Sequence, residues 1–153
     1  MIMTRHTALF SLLLFLLASS SAHAQRRPPA IEGTATARER AAIISVLTDY
    51  VEGISSSDTL ALRRAFHPAA RLQGMREGVY YERSLPTWTA AIALRKPSPL
   101  RMAIRSIDVT QTAAAVRLDL FAEDGTLAYT DYLSLLQEAG RWYIVNKIYH
   151  THD

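Results

Sequence analysis

Hydrophobic positions change their spacing twice along the chain, and each change predicts a different kind of structure. From Ala8 to Ala18 nearly every residue is apolar. Over most of residues 36–99 apolar residues recur about every 3.6 positions, which is the spacing of one face of an α-helix. After Pro99 they alternate with polar residues, as in strands that bury one face. The pattern predicts an apolar leader, then mainly helices, then a sheet.

The first 24 residues have the composition of a cleaved signal peptide. Arg5 supplies a basic start, the apolar run follows, and Ala22-His23-Ala24 is a small-x-small cleavage site. The apolar run is shorter than the ~20 residues that span a bilayer as a helix. We therefore expect residues 1–24 to be removed on export, leaving a bacterial protein that is periplasmic or secreted and not held in a membrane. An uncleaved N-terminal anchor is the alternative.

A single domain is predicted behind this leader. Residues 25–35 show no periodicity and predict a flexible N-terminal segment, so the domain covers residues 36–153. Thr36 and Glu39 fit a capping box, in which a hydroxyl and a carboxylate satisfy each other's free backbone amides. The first helix should begin there and end at Gly53 and the serines that follow it.

Two more helices and a short hairpin are predicted before Pro99. Ser57 or Asp58 caps the second helix, which stops at Pro68. The apolar positions of this helix are Leu60, Leu62 and Phe66. Ser84 caps the third helix, with Pro86 in its first turn. The predicted strands between these two helices are residues 71–73 and 79–83.

Four long antiparallel strands are predicted beyond the third helix, with Asp124-Gly125 as a turn signal between two of them. Their ranges are 102–109, 114–122, 127–136 and 141–150. Helices followed by a run of strands indicate an α+β fold. We expect a strongly bent antiparallel sheet of about six strands, wrapped on three helices.

This order of elements, together with four segments, resembles the ketosteroid-isomerase and nuclear-transport-factor-2-like (NTF2-like) superfamily, and within it the lumazine-binding, SnoaL-like group. The segments are Asp49–Gly53, Ala65–Ala70, Thr130–Leu136 and Gly140–Lys147. The resemblance implies a cone-shaped sheet on a long helix and a homodimer formed through the outer face of the sheet. The family's usual acidic residue after Phe-His-Pro is Ala69 here.

The composition and the missing motifs exclude several kinds of catalytic site and binding partner. The chain has no cysteine, which excludes disulfides and thiolate catalysis. The leader holds one arginine and no acid, so removing it takes the net charge from +3 to +2, too weak and scattered to predict a nucleic-acid partner. The sequence has no glycine-rich phosphate loop, nucleophile elbow or His-Glu-x-x-His motif. His150 and His152 alone do not predict a metal site, so we expect neither cofactor nor metal.

Polar residues within the last two strands predict a pocket. Alternation gives each of these strands one face, made of Tyr129, Asp131, Leu133 and Leu135 in the first and of Trp142, Ile144, Asn146 and Ile148 in the second. If both faces are buried, Asp131 and Asn146 point inward, and a buried carboxylate must be paired, hydrogen-bonded or protonated. Asp131 is then a base or ligand anchor beside Asn146. The alternative is that Asp131 ties a helix or loop to the sheet, through Lys147 or a backbone amide.

Four further residues complete the candidate pocket. Histidine side chains ordinarily titrate near neutrality, so His67 suits an acid or base, although bonding a carbonyl at a helix end is the alternative. Tyr50 and Trp88 each join an apolar body to a polar tip, which suits either a core or the wall of a ligand site. Trp142 shares the predicted inner face of the last strand.

Three functions are compatible with these features. The first is non-catalytic binding of a small molecule, because no complete catalytic set is present. The second, implied by the SnoaL-like resemblance, is a cofactor-independent isomerase, cyclase or dehydratase. There Asp131 would be the general base, Tyr50 or His67 the oxyanion donor, and Asn146 would orient the base. The third is a structural or interaction module without a ligand.

Overall fold

The computed structural model describes residues 35–152, so the predicted leader and most of the segment 25–35 lie outside the described residues. The fold is α+β, as predicted. The helices are α1 (Ala37–Ser56), α2 (Thr59–Ala65) and α3 (Leu85–Ala93). The strands are β1 (Phe66–Arg76), β2 (Val79–Ser84), β3 (Leu100–Thr110), β4 (Ala113–Ala122), β5 (Leu127–Glu138) and β6 (Arg141–Thr151). None of the helices in residues 35–152 is long and apolar enough to cross a membrane.

The six strands form one curled sheet in the order β2-β1-β6-β5-β4-β3. Neighbouring strands are antiparallel except β1 and β6, which run parallel. The prediction of a wholly antiparallel sheet is therefore wrong at that pair. A hairpin forces its two strands to be antiparallel, but β1 and β6 meet only after a long crossover, which leaves the parallel direction open.

Helix α1 begins as predicted and ends at the predicted serines, but Gly53 does not stop it. The Oγ1 atom of Thr36 accepts a hydrogen bond from the amide of Glu39 at 3.2 Å, and the Glu39 carboxylate accepts from the amide of Thr36 at 2.8 Å. The helix continues through Gly53 to Ser56, and its C-cap residue Ser57 has a φ of +61°. Gly53 is needed for packing, since a Cβ there would lie 2.6 Å from the side chain of Leu62 in α2. It brings two helices together and does not stop the first.

The core lies between the helices and the inner face of the sheet. Its largest fully buried side chains are Trp142, Tyr50, Phe66, Ile43, Leu47, Leu62, Leu72, Leu118, Leu120, Leu133, Leu135 and Ile144. Phe66 was predicted to lie in the second helix, but it begins β1 and pairs with Ile144 of β6. The inner face of β5 is the predicted one, because Asp131, Leu133 and Leu135 are all buried.

A β-bulge interrupts β6. Ser134 pairs with Asn146, whereas the next residue of β5, Leu135, pairs with Ile144, so Val145 has no partner across the ladder. A bulge adds one residue to a strand, and a shift of one residue moves every later side chain to the other face.

The bulge changes which residues of β6 face the core. Trp142 and Ile144, before it, are buried as predicted. Beyond it Lys147 is 6% exposed, while Ile148 is 47% exposed. The prediction that Asn146 and Ile148 share the face of Trp142 is wrong, because it assumed unbroken alternation.

Candidate functional site

Three polar side chains meet inside the fold, one from each of three elements: Tyr50 of α1, Asp131 of β5 and Lys147 of β6. The Tyr50 hydroxyl donates to Oδ2 of Asp131 at 2.6 Å, and Nζ of Lys147 donates to the same oxygen at 3.1 Å. Lys147 also donates to the Tyr50 hydroxyl oxygen. Tyr50 and Asp131 are fully buried. We call these three residues the Tyr–Asp–Lys cluster.

Local structure explains why the three meet. Tyr50 lies on the buried face of α1, one turn after Leu47. Asp131 occupies an inward position of β5, opposite Tyr149 of β6. Lys147 points inward only because the bulge reverses the alternation of β6. The bulge therefore brings the amine to the carboxylate.

Burial and charge shift the pKa values of two members of the cluster. The pKa of Tyr50 is raised well above its ordinary value, first because burial disfavours the phenolate and second because the Asp131 carboxylate repels it. Burial lowers the pKa of Lys147, although the nearby carboxylate of Asp131 opposes this shift. The environment thus favours a neutral tyrosine and makes the proton of Lys147 easier to remove.

One oxygen of Asp131 is left over. Both hydrogen bonds to this carboxylate go to Oδ2, and buried Oδ1 has no partner among residues 35–152. Nearly all buried polar side-chain atoms in proteins are hydrogen-bonded, so an exception calls for an explanation. Oδ1 is an acceptor that a donor or an acidic hydrogen of a bound molecule can use.

Aromatic rings surround the amine. Nζ of Lys147 lies 4.7 Å from the ring centroid of Tyr149, 4.9 Å from that of Tyr50 and 5.9 Å from that of Trp88. Cations at these distances are attracted to the faces of aromatic rings. Tyr149 and Trp88 are half-buried, whereas Tyr50 and Asp131 are fully buried. These rings stabilise a positive charge at the nitrogen.

Two more half-buried tyrosines extend this aromatic layer. The ring of Tyr149 meets Tyr81 edge-on at 6.2 Å and Tyr129 edge-on at 6.4 Å. Gly74 of β1 allows this packing, because a Cβ there would come within 3.2 Å of Tyr149 and 3.3 Å of Tyr81. The three tyrosines and Gly74 belong to β1, β2, β5 and β6, and Trp88 of the same layer belongs to α3.

Of the predicted pocket residues, the structure brings together Tyr50, Trp88 and Asp131 and separates the other three. Trp142 is buried in the core five residues before Lys147 on β6, roughly 16 Å away at ~3.3 Å per residue. Its indole nitrogen has no hydrogen-bond partner among residues 35–152.

His67 lies in a groove whose lining residues include no member of the Tyr–Asp–Lys cluster. Its Nδ1 accepts from the amide of Ala69 at 3.1 Å, and its Nε2 lies 3.6 Å from the Glu138 carboxylate. Its ring packs edge-on against Tyr143 at 6.0 Å. These neighbours line a surface groove of about 330 Å³ on the outer face of the sheet.

Asn146 also lies on the outer face, in a second groove of about 260 Å³ with Tyr132, Ser134 and Ile148. The predicted hydrogen bond from Asn146 that would orient Asp131 is therefore wrong, and Lys147 takes the place beside the carboxylate. One signal in the sequence indicates this change. The run from Trp142 to Val145 is apolar or aromatic at four successive positions, which simple alternation does not produce.

No group of three or more His, Cys, Asp or Glu side chains in residues 35–152 is arranged to hold a metal ion. Residues 38–150 match the profile of the family described as "Putative lumazine-binding". The chain belongs to this family. The match spans all three helices except the first residue of α1, and all six strands except the last residue of β6.

Two solved structures and one relative are similar to this chain. An NTF2-like protein of unknown function from Shewanella baltica OS155 is 34% identical, covers 78% of this chain and 98% of its own, and has a TM-score of 0.71. An NTF2-like protein of unknown function from Methylobacillus flagellatus KT is 23% identical, with 78% and 97% covered and a TM-score of 0.70, and shows the fold alone. The aldolase FrzH of Cladobotryum sp. is 26% identical over 121 residues, 76% of this chain and 94% of that protein. The predicted superfamily is confirmed.

Proposed function

We propose that this lumazine-binding family member is an enzyme that removes a proton from the carbon next to the carbonyl of a small molecule. The observation that carries the proposal is the buried, unpartnered Oδ1 of Asp131, whose other oxygen is held by Tyr50 and Lys147. The enolate formed in this step is common to isomerases, dehydratases and aldolases. The aldolase FrzH, aligned over 94% of its length, supports this class of chemistry.

Asp131 is the proposed general base. The hydrogen bonds from Tyr50 and Lys147 fix the plane of its carboxylate and leave Oδ1 free to accept a proton. A general base must come within about 3 Å of the proton that it removes. The buried site also keeps water away from the reactive enolate.

Lys147 is the proposed donor to the developing oxyanion. An ammonium group has three N–H donors, and Lys147 uses two of them on Tyr50 and Asp131. The third is available to a carbonyl oxygen. Donors that are already in place where negative charge develops are among the largest contributors to catalysis.

A substrate reaches the cluster only when the aromatic layer moves. Trp88 and Tyr149 are half-buried and lie beside the amine, so we propose that rotation of their side chains opens the way in. Changes of side-chain rotamer are common when proteins bind their partners.

The test uses hydrogen–deuterium exchange in heavy water with acetaldehyde, pyruvate and dihydroxyacetone as probes, followed by nuclear magnetic resonance. The wild-type protein should speed exchange at the carbon next to the carbonyl. Asp131→Asn should lose about 10²–10⁴-fold of that rate, the usual contribution of a general base. The control is Asp108→Asn, because Asp108 is an exposed carboxylate on the outer groove. No exchange above buffer, or full activity of a folded Asp131→Asn variant, refutes the proposal.

Non-catalytic binding is the second candidate, supported by the unpartnered Oδ1 of Asp131, which could accept a hydrogen bond from a ligand. The cluster would then tie α1 to the sheet and contact a ligand without reacting. A probe that raises the melting temperature by mass action but shows no exchange would indicate this function. If no probe binds or exchanges, a structural or interaction module is favoured instead.

We also propose export of this protein, on the strength of the leader composition. The basic residue, the apolar run and Ala22-His23-Ala24 support cleavage after Ala24. The native protein should then begin at Gln25, and be periplasmic or secreted. Intact-mass measurement tests this, and a mass that includes residues 1–24 contradicts it.

A homodimer through the outer face of the sheet is a further proposal, supported by apolar side chains there. Tyr132 and Ile148 are cross-strand neighbours. These two side chains and that of Leu136 are each about half exposed. A second copy would cover them. Light scattering should give a dimer for the wild-type protein and a monomer for Ile148→Glu. A wild-type monomer at high concentration contradicts this.

A further inference from the structure

The cluster contains a buried nucleophile that proton abstraction alone does not require. Lys147 is the amine, and lysines removed from water are activated for reaction with carbonyl compounds. Building on the proposed function, we propose that Lys147 forms an iminium with a small aldehyde or ketone substrate. Lys147 is then a covalent catalyst. Asp131 first accepts a proton from Lys147 and later removes a proton from the substrate carbon.

The geometry supplies what an amine nucleophile needs. An effective nucleophile lies within hydrogen-bond reach of a base. Nζ of Lys147 is 3.1 Å from Oδ2 of Asp131 and also bonds the Tyr50 hydroxyl. Burial lowers the pKa of Lys147, which brings the neutral amine within reach. Asp131 can therefore accept the proton that the ammonium must lose, and Tyr50 can relay a proton between nitrogen and oxygen.

The steps balance without another reagent. The ammonium of Lys147 first gives a proton to Asp131. The neutral nitrogen adds to the carbonyl carbon, the electron pair of the C=O bond moves to oxygen, and Tyr50 relays a proton from nitrogen to that oxygen. Asp131 then returns its proton to the hydroxyl, the C–O bond breaks and water leaves. The nitrogen lone pair completes the C=N bond, leaving an iminium cation beside the Asp131 carboxylate.

The product charge matches the site. Before and after the reaction one positive charge lies at Nζ, so the carboxylate of Asp131 and the rings of Tyr149 and Trp88 stabilise the iminium as they stabilise the ammonium. Asp131 next removes a proton from the adjacent carbon, and the electron pair moves onto the iminium nitrogen as an enamine. The iminium thus replaces the carbonyl oxygen as the electron acceptor.

The chain provides its own control for a test of this chemistry. It contains only two lysines, Lys96 and Lys147. Lys96 is exposed, lies beyond the end of α3 and precedes Pro97. If accessibility alone decided which lysine reacts, Lys96 would react. Selective reaction at the buried lysine would therefore identify activation by the site.

The experiment is reductive trapping of the full-length protein. Wild type, Lys147→Arg and Lys96→Arg are incubated with acetaldehyde, pyruvate or dihydroxyacetone and sodium borohydride, and the adduct is located by peptide mass mapping. We expect a single adduct on Lys147 in wild type and Lys96→Arg, and its loss in Lys147→Arg, which keeps the positive charge. Adducts confined to Lys96 or the N-terminal amine, or no adduct at all, overturn the proposal.

The trapping and exchange experiments test the iminium and the proposed function separately. If wild type exchanges deuterium but shows no adduct at Lys147, the lysine is only a hydrogen-bond donor, and the iminium is refuted while the proposed function remains. If Lys147 is trapped without any exchange, the iminium is supported and proton removal by Asp131 is refuted. Lys147→Arg should also lose exchange. Full exchange in that variant overturns the covalent role.

Discussion

The hydroxyl of Tyr50 donates a 2.6 Å hydrogen bond to Oδ2 of Asp131, and this fully buried contact joins α1 to β5. Lys147 of β6 bonds both partners, so one polar cluster links three elements. A buried carboxylate must be paired or hydrogen-bonded, and here it is both. The same contacts that hold the helix on the sheet position the proposed catalytic groups, so stability and activity should respond to the same substitutions.

The Asp131–Lys147 pair should show strong energetic coupling. Asp131→Asn leaves the buried ammonium of Lys147 without its partner. Lys147→Met leaves the buried carboxylate of Asp131 without its partner. Breaking a buried pair from one side costs roughly 3–5 kcal/mol, whereas replacing both charges is often nearly neutral. In urea unfolding, the double variant should therefore be less destabilised than the sum of the two single variants. Additive effects would show that the two side chains do not interact in the folded protein.

Tyr50 should make stability depend on pH in the alkaline range. Its folded-state pKa lies well above the ordinary 10.0, chiefly through burial, so its contribution is complete below pH 10 and is lost as pH rises above that value. The pKa of Lys147 is lowered, so Lys147 has the opposite effect: it makes the free energy of unfolding rise as the pH rises towards its ordinary pKa of 10.5. The free energy of unfolding should therefore fall less steeply above pH 10 in Tyr50→Phe than in wild type.

This pH dependence is measured as the difference between the alkaline slopes of the wild-type protein and Tyr50→Phe. Chemical denaturation at several pH values measures both. Equal slopes for Tyr50→Phe and wild type would mean that the buried hydroxyl has no raised pKa.

The helix starts and most strand faces could be predicted from the sequence, because they follow from local rules. The Thr36–Glu39 box and the alternation around Asp131 each need only a few neighbouring residues. The inward direction of Lys147 does not follow from such local rules, because a single bulge at Val145 reverses the alternation of β6. The groove that His67 occupies also depends on the pairing of β1 with β6, which is set by tertiary packing and leaves no local pattern.

Gly53→Ala should destabilise the contact between α1 and α2. The added Cβ would lie 2.6 Å from the side chain of Leu62, which is fully buried. Overpacking of this kind costs about 1–3 kcal/mol and outweighs the better helix propensity of alanine. Leu62→Ala should remove the clash while leaving a cavity, so the double variant should be more stable than the sum of both losses predicts. Thermal unfolding of the four proteins measures this, and a stabilised Gly53→Ala variant would contradict the packing argument.

Ala139→Asn should stabilise the hairpin between β5 and β6. Glu138 pairs with Arg141, so the loop has two residues, Ala139 with φ of +47° and Gly140 with φ of +80°. Hairpins of this type prefer Asn-Gly because both positions need a positive φ, which costs most residues roughly 1–2 kcal/mol and asparagine less. The substitution should add about 0.5–1 kcal/mol to the free energy of unfolding.

The matched control is Ala139→Val. A β-branched side chain fits a positive φ poorly, so this variant should lose stability by about 1 kcal/mol or more. Urea denaturation of wild type, Ala139→Asn and Ala139→Val should rank them with asparagine first and valine last. Because residue 139 is exposed and lies in the turn, its effect comes from the backbone alone and not from side-chain packing. An asparagine variant less stable than the wild-type protein would mean that the loop does not hold Ala139 in the left-handed region.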